Sequence, residues 1–124
     1  PVAAEKPGDP CALPTEDTRQ FFLETCKTVA PNYRNEVTLQ SVELFTEYEP
    51  GIYIPNICPT PFMLAVALGD HLVPADIACA AFETALEPKK LLLLPGGHFE
   101  AYVGRNFEIS SAAQRDWFVE HLRP

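Results

Sequence analysis

The chain has 124 residues, 47% of them hydrophobic and 21% charged, which fits one ordinary globular domain able to bury a core and not a disordered or fibrous segment. A net charge of −8, with Lys89-Lys90 as the only adjacent basic pair, argues against nucleic acid as a partner. The longest apolar run, residues 62–68, is far shorter than the roughly 20 residues needed to cross a bilayer, so no membrane partner is expected.

Residues 1–14 form an irregular lead-in. Thr15 is placed to cap a helix with Glu16 and Asp17 in its first turn, where the helix dipole favours acids, and with Phe22, Cys26 and Val29 recurring at helical spacing until Pro31. A second helix is expected from about Asn35 to Tyr48, although Val37 and Leu39 alternate like a strand, and Pro50-Gly51 should stop it. The apolar run of residues 62–68, bounded by Pro61 and Gly69-Asp70, reads as a strand buried on both faces. Ile77, Ala80, Ala81, Thr84 and Ala85 then repeat with helical period, with Pro74 near the start and Pro88 past the end. Residues 91–94 form a second all-apolar strand, ended by Pro95-Gly96-Gly97. Strand, helix and strand in this span predict a βαβ unit with parallel strands. Last, Ser111 to Gln114 has the spacing of a capping box, predicting a helix that opens at Ser111 and turns Trp117, Phe118, His121 and Leu122 toward the sheet.

Two parallel strands do not make a self-sufficient sheet, because at least one edge stays open. The missing strands are therefore expected from elsewhere, from an upstream half of the same protein or a second copy of the chain. Residues 1–10 have neither an initiator Met nor the basic start and apolar stretch of a secretory signal, so the sequence reads as beginning in the middle of something or as trimmed. Cys11, Cys26, Cys58 and Cys79 contain no CxxC pair and read as free thiols of a reducing, cytoplasmic protein.

In open α/β sheets the chemistry gathers at the carboxyl ends of the strands. Asp70 follows the first buried strand and His98 the second, and neighbouring parallel strands lie about 4.8 Å apart, so short loops bring the two within hydrogen-bonding reach. A carboxylate on one imidazole nitrogen fixes the tautomer and leaves the other nitrogen to take a proton from a hydroxyl or thiol. The structural alternatives are a turn or capping aspartate and a satisfied histidine. His71 reads as a loop residue and His121 as a helix-surface or packing histidine. A metal held by Asp70, His71 and His98 is disfavoured because adjacent side chains seldom converge on one ion, and no cofactor is implied. Phe99 and Tyr102 are candidate pocket residues, with packing after the strand as the alternative.

The order of Asp and then His on the last two strands, the Asp-x-x-x-Pro of residues 70–74 and the Gly-Gly-His-Phe of residues 96–99 resemble the C-terminal part of α/β-hydrolases. The strings Tyr33-Arg-Asn-Glu-Val-Thr-Leu39, Tyr48-Glu-Pro-Gly51, Pro59-Thr-Pro61 and Pro88-Lys-Lys-Leu-Leu92 are similar to dienelactone-hydrolase-like enzymes, some of them Xaa-Pro-peptidase-like. The resemblance implies that residues 62–68 and 91–94 are the seventh and eighth strands. It also implies that residues 1–58 are a lead-in with a helical, cap-like segment, and residues 59–124 the end of the hydrolase domain. Asp70 and His98 would be the acid and base of a triad cleaving an ester, thioester, lactone or amide in a small-molecule substrate. Such enzymes carry their serine in Gly-x-Ser-x-Gly, which is missing here, and the serines present are Ser41, Ser110 and Ser111, the last two reading as cap residues. The nucleophile is therefore expected outside these residues, and the chain reads as a fragment or as one piece of a split or cleaved enzyme. The alternative is a non-catalytic α/β remnant that binds a partner.

Overall fold

The computed structural model describes residues 1–122, which fall into two units, Pro1–Glu49 and a second from Pro50 onward. In the first, α1 (Glu16–Gln20) and α2 (Cys26–Val29) are joined by a π-helical turn, Phe21–Thr25, and α3 spans Leu39–Glu47. The single helix expected after Thr15 is thus three pieces, and the Thr15 side chain does not cap its backbone, because its hydroxyl is bonded to that of Thr18 at 2.7 Å. The second helix begins later than the expected Asn35. Thr38 is its N-cap, with its hydroxyl accepting from the Ser41 amide at 3.0 Å, a bond that only a start at Leu39 provides. Asn35 instead pairs with both backbone groups of Ala3, accepting from its amide at 2.9 Å and donating to its carbonyl at 2.8 Å.

The second unit opens with a 3-10 segment, Pro50–Ile57, and continues through β1 (Phe62–Ala67), α4 (Ala75–Glu83), β2 (Lys89–Leu94), a 3-10 turn (His98–Tyr102) and α5 (Gly104–His121). β1 and β2 are parallel, in register from Phe62 opposite Lys89 to Ala67 opposite Leu94. Alternation sends Phe62, Leu64 and Val66 to one face and Met63, Ala65 and Ala67 to the other. α4 packs on the first face, where Phe82 stacks on Phe62 with ring centroids 6.2 Å apart. α5 packs on the second, with Gln114, Trp117 and Phe118 beside Met63 and Ala65. β2 begins two residues before the apolar stretch, since a charged side chain can enter a strand if its ammonium finds partners. That of Lys89 lies 4.8 Å above the Phe82 ring and donates to the carbonyls of Phe82 and Glu83 at the end of α4.

Two expectations need correction. Burial on both faces holds at the carboxyl end, where Val66, Ala67 and Leu94 are buried, but Leu68 and Leu93 are exposed, because among the described residues helices cover the pair only in part. The last helix starts at Gly104, a full two turns before Ser111, since nothing between Gly104 and Ser111 stops it. Ser110 and Ser111 are interior residues whose hydroxyls are satisfied within the helix, Ser110 by Gln114 and Ser111 by the Glu108 carbonyl. The earlier start sets which face turns inward. Ser110 is buried and Trp117 and His121 are partly covered, whereas Phe118 and Leu122 are exposed. Among the described residues no helix is long and apolar enough to cross a membrane.

Phe82→Ala removes the ring that both Phe62 and Lys89 rest on, and should cost about 3 kcal/mol of stability, read as a lowered urea midpoint.

Candidate active site

The parallel ladder does not end with the strands. The Leu68 amide donates to the Leu94 carbonyl at 2.8 Å, and the Gly69 amide donates to the Gly96 carbonyl, also at 2.8 Å. The two loops thus leave the sheet joined to each other. A Cβ on Gly69 would sit 3.1 Å from the Gly96 oxygen, tight enough that the facing loop would have to give by a few tenths of an ångström, so this approach favours glycine.

One residue beyond Gly69 on the first loop and two beyond Gly96 on the second, Asp70 Oδ2 and His98 Nδ1 meet at 2.7 Å. Asp70 Oδ1 accepts from the amides of Leu72 and Val73, each at 2.8 Å, which closes the turn after β1. Asp70 is therefore a turn aspartate and the partner of His98 at once. Its side chain is 8% exposed and that of His98 24%. Burial by itself pushes the Asp70 carboxyl upward, but the Val73 amide, the His98 ring and the Leu72 amide together hold it below the usual carboxylate range. The carboxylate stays ionised and fixed, and the His98 Nε2 has no hydrogen bond among the described residues.

His98 begins the 3-10 turn, and two aromatic rings stand edge-on to it, Phe99 with its centroid at 4.9 Å and Tyr102 at 5.9 Å. A cavity of about 360 Å³ lies beside the pair, bordered by Asp70, His98, Tyr102, Phe107, Ser110 and Gln114 among others. Tyr102 reaches this cavity. Phe99 is not among the residues that border it; its ring stands against His98 and lies 6.3 Å from that of Tyr102. His71 is exposed in the turn after Asp70, and His121 packs on Trp117 with ring centroids 4.0 Å apart. Sequence reasoning missed Glu100 and Asn106, whose side chains bond to the turn that carries His98. A capping box needs a side-chain acceptor at its first position, which Gly97 lacks, so the Gly97-x-x-Glu100 spacing carries no such signal.

No known protein-family profile matches the chain. Protein YfhR of Escherichia coli (strain K12) is 30% identical over 111 residues, 88% of this chain and 39% of YfhR. Polyketide transferase ATR5 of Stachybotrys chlorohalonatus (strain IBT 40285) is 27% identical over 93 residues, 74% of this chain and 31% of that protein. Among solved structures, the α/β hydrolase GrgF from Penicillium sp. sh18 superposes with a TM-score of 0.68 at 24% identity, over 78% of this chain and 34% of GrgF. DcsB, solved in complex with its substrate analogue, superposes with a TM-score of 0.67 at 27% identity, over 77% of this chain and 33% of DcsB. The chain thus spans between 31% and 39% of the length of these proteins.

The Asp70 carboxyl gives a pH prediction. Its folded pKa lies below the unfolded value of about 3.9, so the stability it contributes is complete above that value and is lost as the pH falls through the folded pKa. Urea midpoints measured from pH 6 down to pH 2 should fall more steeply in the parent than in Asp70→Asn. Gly69→Ala, which crowds the Gly96 carbonyl on the facing loop, should broaden or weaken the low-field Nδ1 proton resonance of His98 in NMR spectra.

Proposed function

Because this chain has the C-terminal portion of the α/β-hydrolase fold, we propose that Asp70 and His98 are the acid and the base of a catalytic triad whose serine lies outside these 124 residues. The observation that carries the reading is the 2.7 Å bond between Asp70 Oδ2 and His98 Nδ1. It keeps the proton on Nδ1 and leaves Nε2 basic.

In the proposed reaction Nε2 takes the proton of the serine hydroxyl as its oxygen attacks the substrate carbonyl. The imidazolium formed is stabilised by the Asp70 carboxylate across Nδ1–H. Nε2 then returns the proton to the leaving oxygen, sulfur or nitrogen as the tetrahedral intermediate collapses to an acyl-enzyme. Water, deprotonated by the same Nε2, attacks the acyl group and restores the serine. The substrate class is an ester, thioester, lactone or amide, in keeping with the dienelactone-hydrolase-like motifs of the sequence. One relative is named a polyketide transferase, and the same pair serves acyl transfer when an alcohol replaces water. Tyr102 lines the cavity beside His98 and is the proposed substrate contact, while Phe99 packs on the catalytic ring and contributes to the site through it.

The serines present favour an outside nucleophile. Ser41 is paired with Thr38, Ser110 with Gln114, and Ser111 with the Glu108 carbonyl of its own helix. The proposed partner that supplies the serine is an upstream half of the same enzyme, and the open edge of the β1–β2 pair would take its strands or those of a second copy of the chain. The four free thiols support a reducing, cytoplasmic setting.

The 124-residue chain by itself should hydrolyse no p-nitrophenyl acetate, and robust activity blocked by a serine-directed phosphonate would refute the outside nucleophile. In the full-length protein, His98→Ala and Asp70→Asn should each lower kcat by about 10³-fold or more, and the double variant should lose little beyond the larger single loss. A double variant showing the product of the two losses would mean that the residues do not act on one proton.

A further inference from the structure

Pro95-Gly96-Gly97 is the covalent link from β2 to His98, so its conformation decides where the imidazole sits. The link carries a conflict. Gly96 has to be glycine, since its φ is +88° and a Cβ there would land on the Glu100 carboxylate. Yet two successive glycines are the least restrained backbone a chain can have, and an imidazole at the end of such a link would sample many positions.

The polar groups of the link are held one by one. The Pro95 carbonyl accepts from Asn106 Nδ2, at the start of α5, at 2.7 Å. The Gly96 carbonyl is taken by the Gly69 amide. The Gly97 amide donates to Glu100 Oε1 at 3.1 Å, and the Gly97 carbonyl accepts from the Glu100 amide at 3.2 Å. Neither side chain is needed to fill a core, as Glu100 is exposed and Asn106 only half-buried. Both bond to the backbone that places His98.

We propose that Glu100 and Asn106 are positioning residues that clamp the glycine link from its two ends and so hold His98 against Asp70. The inference rests on the reading of Asp70 and His98 as acid and base. Glu100 acts at Gly97, next to the histidine, and Asn106 at Pro95, where the strand ends. Between them the Gly69 amide fixes the middle. With either clamp gone the imidazole remains attached but spends less time within reach of Asp70 Oδ2, and a small displacement of a base is enough to slow proton transfer.

The test uses the full-length protein with two independent readouts, turnover of p-nitrophenyl acetate and the low-field Nδ1 proton resonance of His98. Glu100→Ala and Asn106→Ala should each lower kcat by about 10-fold with KM unchanged, and should broaden or remove the resonance. Glu100→Gln keeps an oxygen acceptor for the Gly97 amide and should restore both. Variants that melt earlier but keep kcat and the resonance would overturn the inference, since the clamps would then be structural only. Glu100→Gln behaving like Glu100→Ala would overturn it for Glu100, because the hydrogen bond to Gly97 would not be the operative contact. If the parent turns over no ester but its resonance responds to these substitutions as described, the clamps stand and the hydrolase reading fails.

Discussion

The parallel register of β1 against β2 is the constraint on which the site depends. It places Ala67 opposite Leu94, and from there the pairing runs on through Leu68 and Gly69 into the loops. A slip of one residue would move one loop about 3.3 Å along the other and exchange the faces of every side chain, burying Lys90 in place of Leu91 and separating Asp70 from His98. The register is enforced from both sides of the sheet. The Phe62–Phe82 stack and the Lys89 ammonium fix the first pair, and Val66, Ala67 and Leu94 bury the last.

Asp70 turns that register into electrostatics. A carboxylate this covered would be pushed toward its neutral form if burial acted alone, and a neutral acid would neither orient the imidazole nor stabilise its cation. The two backbone amides on Oδ1 and the His98 ring together reverse the balance. Because the amides come from the turn that Asp70 itself closes, the residues that form the loop also help keep its acid ionised. The turn and the His98 partnership therefore use different oxygens of one side chain and do not compete.

Much of this was legible in the sequence. The two strands, the helix between them and the placement of Asp70 and His98 at strand ends follow from apolar runs closed by Gly69-Asp70 and by Pro95-Gly96-Gly97, because runs bounded by breakers carry strong local signals. Helix starts were harder to read. α3 starts after its cap Thr38 and not from about Asn35 as expected, and Ser111-x-x-Gln114 has capping-box spacing in the middle of a helix that Gly104 and Val103 had already opened. A cap pattern works only where the preceding residue leaves the helical region, which depends on backbone angles that composition does not state. The π turn at Phe21–Thr25 likewise has no periodic signature, since Phe22 and Cys26 hold helical spacing across it. Glu100 and Asn106 escaped notice for a different reason. Their partners are backbone groups of Pro95 and Gly97, and backbone acceptors and donors are invisible to a reading of side-chain types.

The Asp70–His98 pair is separated by 28 residues in sequence, yet every bond that positions it lies between Leu68 and Asn106. The scaffold is hydrogen-bonded backbone rather than a deep core, since few side chains near the pair are fully buried. On the proposed reading of His98 as a base, the base is set before any nucleophile arrives. Docking of a serine-bearing segment would then have to order only the serine and its own loop, and none of the docking energy would be spent on orienting the imidazole. The pair's geometry is thereby decoupled from the substrate-facing parts of the enzyme.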